Sequence, residues 1–110
     1  MEQLYQIEGV NLTVRMPTEL DHLGAERIKK ETDYYLENYH IQHIIFDFQK
    51  TDFMDSAGIG MLLGRYKEMA AIGGEVFVRN TSPRVKRILE MSGIYRIIRD
   101  WDGKDGEGSR

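Results

Sequence analysis

Ile44 to Phe48 constrains this chain more than any other stretch, because four of its five residues are large and apolar. A run that short reads as a parallel strand covered on both faces, packed under helices. Asp47 is its one odd member. Ahead of it, Val10, Leu12, Val14 and Met16 alternate with Asn11, Thr13 and Arg15, the period of a strand with one wet face. Leu4 to Ile7 supplies an antiparallel partner across Glu8-Gly9, since glycine tolerates the positive φ of a tight turn. Pro17, which has no N–H to donate, ends the pairing.

The remaining segments alternate helix and strand. Ala25, Ile28, Thr32, Tyr35, Leu36 and Tyr39 recur at helical spacing between Asp21 and about Asn38. Ile59, Leu62, Leu63, Tyr66 and Ala70 mark a second stripe, from about Ser56 to the glycine pair Gly73-Gly74. Glu75 to Arg79 reads as a strand. Ser82-Pro83 reads as an N-cap followed by proline at the first helical position. Val85, Ile88 and Leu89 form the apolar face of this third helix, and Gly93 ends it. Ile94 to Arg99 is a last strand or an extended docking segment. With right-handed crossovers, this order predicts an α/β fold. Its sheet is mixed and largely parallel, of four to five strands, with an N-terminal β-hairpin and three or four helices.

A length of 110 residues with 41% apolar composition suits one domain with its own core. The absence of cysteine excludes disulfides, thiolate metal sites and a cysteine nucleophile. No apolar run has the length of a membrane span, and Met1 to Arg15 lacks the pattern of a signal peptide. The expectation is a soluble, cytoplasmic protein with no membrane partner. Net charge is only −3, but residues 1–74 hold 12 acids against 7 bases, whereas residues 75–99 hold 2 acids against 6 bases. Those bases, Arg79, Arg84, Lys86, Arg87, Arg96 and Arg99, read as a solvated surface rather than a nucleic-acid footprint. Residues 100–110 contain three glycines and six charges, the composition of a flexible polar tail.

The chemistry concentrates between Asp47 and Gly60, where a buried strand passes into a helix. Loops at the carboxyl ends of strands are where ligands and partners gather. Ser56, at the start of the helix, can act as an N-cap worth about 1 kcal/mol. It can equally accept a phosphate, which the positive end of the helix favours. A phosphoryl group adds about −1.5 to −2 charges beside Asp55 and near Asp52, enough to repel a partner fitted to neutral serine. Gly58, Gly60 and Gly64 are spaced one residue off a dinucleotide fingerprint. They fit better as small residues that let a partner or a neighbouring strand approach closely. Met54 stands where a hydrolase nucleophile elbow needs glycine. Asp47 lacks the acidic pair and the lysine that a receiver-type phosphoacceptor requires, so it reads as a satisfied structural carboxylate. His22, His40 and His43 lack the company of metal ligands and read as surface histidines.

Thr18-Glu19-Leu20-Asp21 and Asp55-Ser56-Ala57-Gly58 together resemble the two-part signature of the STAS domain of anti-sigma factor antagonists. Gly64-Arg65-Tyr66-Lys67, Ile72-Gly73-Gly74-Glu75 and Met91-Ser92-Gly93 fall in the family's order and spacing, and the resemblance covers about residues 4–99. It implies a STAS domain over residues 1–99, followed by the tail at 100–110. It also implies a non-enzymatic partner switch without a cofactor, in a chain that is a monomer when free. In such a switch an anti-sigma factor that is also a serine protein kinase holds the sporulation sigma factor F. The unphosphorylated antagonist binds this kinase and frees the sigma factor. Phosphorylation on the serine matching Ser56 ends binding, and a PP2C-type phosphatase resets the cycle. Asp21 matches the acid expected beside Ser56 at the kinase contact, Asp55 should hold the loop, and Ala57, Gly58 and Gly60 complete the partner-binding set. Two departures are Thr18, where the first motif usually has glycine, and the short polar end in place of a final helix. Alternatives are a stress-response sigma factor circuit and weak nucleotide binding at the Gly58 and Gly60 loop.

Overall fold

The computed structural model describes residues 3–101. Strands β1 (Tyr5–Glu8) and β2 (Asn11–Arg15) form the antiparallel hairpin, with Glu8 opposite Asn11. The turn is therefore Gly9-Val10, one residue later than expected, and Gly9 takes it at φ +64. This shift leaves Val10 38% exposed at the tip, while Leu12, Val14 and Met16 point inward.

Four more elements match the sequence closely: α1 (His22–Asn38), β4 (His43–Asp47), β6 (Glu75–Arg79) and α3 (Pro83–Ser92). Ser82 caps α3 by accepting from the Val85 N–H at 3.2 Å, and Gly93 ends it at φ +80. Two short strands were not legible, β3 (Glu19–Leu20) and β5 (Phe53–Met54), which pair parallel in a sheet of their own. Between β5 and β6 runs α2 (Ser56–Ala71). After α3, a 3₁₀ turn at Ile94–Arg96 precedes strand β7 (Arg99–Asp100), so only the end of the expected last strand is extended.

The main sheet has the order β1-β2-β4-β6-β7, with β2, β4, β6 and β7 mutually parallel. Each crossover steps the same way across the sheet, so right-handed connections set α1, α2 and α3 on one face. On that face Leu12, Ile44 and Val76 form one cross-strand row, and Val14, Phe46 and Val78 form the next. All six are buried in one core with Ala25, Ile28, Leu62, Met69, Val85 and Leu89 from the helices.

On the face away from the helices, Ile45 and Phe77 are also only 1% exposed. The Trp101 ring lies 4.8 Å from Phe77 and 6.0 Å from His43, and the Arg99 guanidinium sits 5.6 Å from the Phe77 ring. The strand is thus covered on both sides, as its apolar run required, with helices on one side only. The sheet also extends past the expected boundary at residue 99. Asp100 pairs in β7, and Trp101 donates its N–H to the Val78 carbonyl at 2.8 Å. The rest of the expected tail, residues 102–110, lies outside the described residues.

The buried stripe of α2 runs through Gly58, Met61, Leu62, Arg65 and Met69, rotated by about one residue from the expected stripe. Leu63 and Ala70 are exposed, and Ile59 and Tyr66 are half-buried. The rotated stripe includes Arg65, a charged residue at a buried position. Its Nη1 donates to the Lys29 carbonyl, Thr32 Oγ1 and Asp33 Oδ1 at 3.1, 3.2 and 2.9 Å, and its Nη2 lies 3.2 Å from Glu68 Oε1. A buried charge is tolerated when paired and hydrogen-bonded in this way, here between α1 and α2.

Candidate functional site

Two residues per strand are enough to align the site. β3 and β5 pair Glu19 with Phe53 and Leu20 with Met54. The Asp52 N–H donates to the Thr18 carbonyl at 2.8 Å, the Asp55 N–H to the Leu20 carbonyl at 3.2 Å, and the Thr51 hydroxyl to the Pro17 carbonyl at 2.7 Å. Each strand runs directly into a helix. Asp21 and Asp55, next in register, therefore stand side by side as the N-caps of α1 and α2. Asp21 Oδ1 accepts from the Gly24 N–H at 2.9 Å, and Asp55 Oδ1 from the Ala57 N–H at 2.8 Å.

This corrects the capping role considered for Ser56. The extended conformation of a cap falls on Asp55, at φ −105 and ψ −173, and its carboxylate reaches the helix amide. Ser56 is the first helical residue and is exposed. Asp21 is likewise exposed, and Asp55 half-buried. With Asp52 also exposed, the two helix starts carry several carboxylates around one hydroxyl.

Gly58 does not belong to the outer surface, contrary to its place in the expected partner-binding set. It is buried, and a Cβ there would meet Met54 Cγ at 2.7 Å and Leu20 Cδ2 at 2.9 Å. Its missing side chain lets α2 lie against β3 and β5, which is how the two caps come together. The same burial removes one of the two glycines that a nucleotide loop would have used. Gly60 is different: nothing lies within 4 Å of the position a Cβ would take. With Ala57, Met61, His22, Ala25, Glu26 and Lys29 it lines a shallow groove between α1 and α2. The structure thus brings Asp21, Asp55, Ser56, Ala57 and Gly60 to one corner and sets Gly58 behind them.

Leu23 and Phe53 each stand two residues from one of the two caps. They are 73% and 46% exposed, one in the first turn of α1 and the other on β5. Leu23 falls outside the buried stripe of α1, and Phe53 pairs with Glu19 in the register of β3 and β5. Asp47 stays apart from this chemistry. It is 8% exposed, and its Oδ1 accepts from the Gln49 N–H and from Asn80 Nδ2, both at 3.0 Å, as expected of a structural carboxylate. His43 is half-buried rather than on the surface, with Nδ1 2.8 Å from Asn11 Oδ1.

Two capped helix starts joined by a parallel pair, with one serine turned outward, are the spatial form of the two-part motif. The family profile described as STAS domain matches residues 2–104. The chain belongs to the STAS domain family. This STAS domain is 37% identical over 93 residues to the anti-sigma F factor antagonist of Paenibacillus polymyxa, covering 84% of this chain and 80% of that protein. Its fold is similar to that of the anti-sigma factor antagonist SpoIIAA in its unphosphorylated form. The TM-score is 0.77 and the identity 31%, over 91% of this chain and 90% of that one. It is also similar to the Bacillus cell fate determinant SpoIIAA in the phosphorylated form, with TM-score 0.72 and 29% identity over 93% and 92% of the two chains. No helix among the described residues is long and apolar enough to cross a membrane.

Proposed function

We propose that this STAS domain is an anti-sigma factor antagonist that switches partners through Ser56. In the unphosphorylated state it binds an anti-sigma factor that is also a serine kinase and so releases sigma factor F. The kinase phosphorylates Ser56 with ATP, binding ends, and a PP2C-type phosphatase restores the hydroxyl. The observation that carries this reading is the exposed Ser56 hydroxyl at the start of α2, beside a cap that Asp55 already fills. A phosphate there meets the positive helix end, so the fold tolerates it, while Asp55 and Asp21 make the new surface strongly anionic. Asp21 and Asp55 hold the hydroxyl in its docking position, with Ala57 and Gly60 beside it. Further support comes from the similarity to SpoIIAA, whose structures include a phosphorylated form.

Reconstitution with the anti-sigma kinase and ATP tests this. Phosphopeptide mapping should find the label on Ser56, and Ser56→Ala should bind the kinase but take no label. Label elsewhere, with Ser56→Ala modified normally, would overturn the reading. Capture from lysates of sporulating and stressed cells identifies which sigma factor is released.

A further inference from the structure

Away from the switch corner, four of the six tyrosines gather where β1, an edge of the sheet, meets the second half of α1. Tyr5 stacks on Tyr35 with centroids 5.0 Å apart, Tyr39 stacks on Tyr35 at 5.8 Å, and Tyr34 meets Tyr35 edge-on at 5.2 Å. Tyr5, Tyr34, Tyr35 and Glu31 line a concavity of about 240 Å³. The Tyr5 hydroxyl donates to Glu31 Oε1. Arg27, one turn back on α1, is the basic neighbour of that hydroxyl. Aromatic faces beside a carboxylate attract a cation.

Among the described residues, no strand pairs with the outer side of β1 beside this pocket. The Arg15 N–H donates to the Leu4 carbonyl at 2.8 Å, which makes Leu4 and Arg15 a hydrogen-bonded pair of the hairpin. Antiparallel pairing alternates, so the inward bonds fall to Gln6 and Glu8, and the N–H and C=O groups of Tyr5 and Ile7 turn outward. Tyr5 therefore belongs to both features, its ring to the pocket and its peptide groups to the open edge.

We propose that this flank binds an extended basic protein segment, which adds as a strand to β1 while a lysine or arginine side chain enters the tyrosine pocket toward Glu31. Strand addition supplies the main-chain bonds, and the pocket reads one side chain in the alternation. Tyr34 stands about 20 Å along α1 from Asp21 by helical rise. The segment thus docks clear of Ser56, and its binding is independent of the phosphorylation state.

The test is an NMR titration of the full chain with the peptide acetyl-Val-Lys-Val-Lys-Val-amide and with its glutamate counterpart. The lysine peptide should shift the Tyr5 and Ile7 amides and the Tyr34 and Tyr35 ring signals, and the glutamate peptide should not. Glu31→Gln and Tyr34→Leu should each weaken binding about tenfold. Tyr34 is 55% exposed, so its variant keeps the fold. Arg27→Gln should tighten binding. Equal response to both peptides, shifts centred on Asp21 and Asp55, or no shifts at all would overturn the proposal. So would ring shifts with tetramethylammonium while the peptide leaves the Tyr5 and Ile7 amides unmoved, since that marks a small-cation pocket.

Discussion

Two serines open helices in this domain, and the structure uses them in opposite ways. Ser82 precedes α3 and spends its hydroxyl on the Val85 amide, followed by Pro83 at the first helical position. Ser56 stands one place further in, inside α2, because Asp55 has taken the cap. One residue of phase separates a hydroxyl committed to the fold from one left to a partner. A docking serine needs another residue to do the capping, and aspartate does it with a charge that also complements the helix end.

The comparison breaks most sharply at phosphorylation. Ser56→Ala should abolish kinase-dependent labelling and Ser82→Ala should leave it unchanged, as read by phosphopeptide mapping. Labelling of Ser82 would show that the two sites are not distinct. Next in size is the partner affinity of Ser56→Asp, expected to fall about a hundredfold, which is about 2.7 kcal/mol, by titration against the kinase. The matching Ser82→Asp keeps a capping carboxylate and should bind normally.

Stability separates the two serines by smaller amounts. Gly58→Ala forces a methyl group onto Met54 and Leu20, and should cost about 1–3 kcal/mol in urea unfolding. It should also weaken kinase binding, because α2 can no longer hold Ser56 against β5. Ser82→Ala and Asp55→Ala should each cost about 1 kcal/mol as lost caps, whereas Ser56→Ala should stay within about 0.5 kcal/mol. Equal losses for Ser56→Ala and Ser82→Ala would mean that Ser56 caps after all.

A further difference concerns pH, and it involves Tyr95 after α3 and Tyr5 on β1. Burial, then the nearby Asp100 carboxylate, pushes the Tyr95 phenol up from its usual 10 to about 12. Burial and the bond to Glu31 push Tyr5 up as well. The folded state holds these protons more tightly than the unfolded chain. The stabilisation is therefore complete below about pH 10 and is lost as pH rises through the folded values. Urea midpoints should be flat from pH 7 to about pH 10 and then fall, less steeply in Tyr95→Phe. An equal slope in that variant would remove Tyr95 from the account.

Periodicity and capping chemistry were sufficient for the hairpin, the three helices and the parallel strands β2, β4 and β6, since these follow from local pattern and from residues with fixed backbone preferences. Asp47 was also readable, as one carboxylate in an apolar run with no acidic partner. The two-residue strands β3 and β5 were not, because a pairing that short has no period and exists only when distant segments meet. Arg65 escaped for a related reason: its burial depends on acceptors from α1, thirty-odd residues earlier, and a charge reads as exposed until those acceptors are in place. Trp101 reads as part of a polar tail because its ring partners, Phe77 on β6 and His43 on β4, are far away in sequence.

The sequence alone thus determined the kinds of elements, their order, and which hydroxyl begins which helix, all set by forces acting within a few residues. Only the tertiary structure decided that Asp21 and Asp55 share a corner, that Gly58 faces inward, and that the apolar strand is roofed by helices on one side and by Trp101 on the other. Those outcomes depend on long-range pairing and packing, whose energies arise only once the chain has closed on itself.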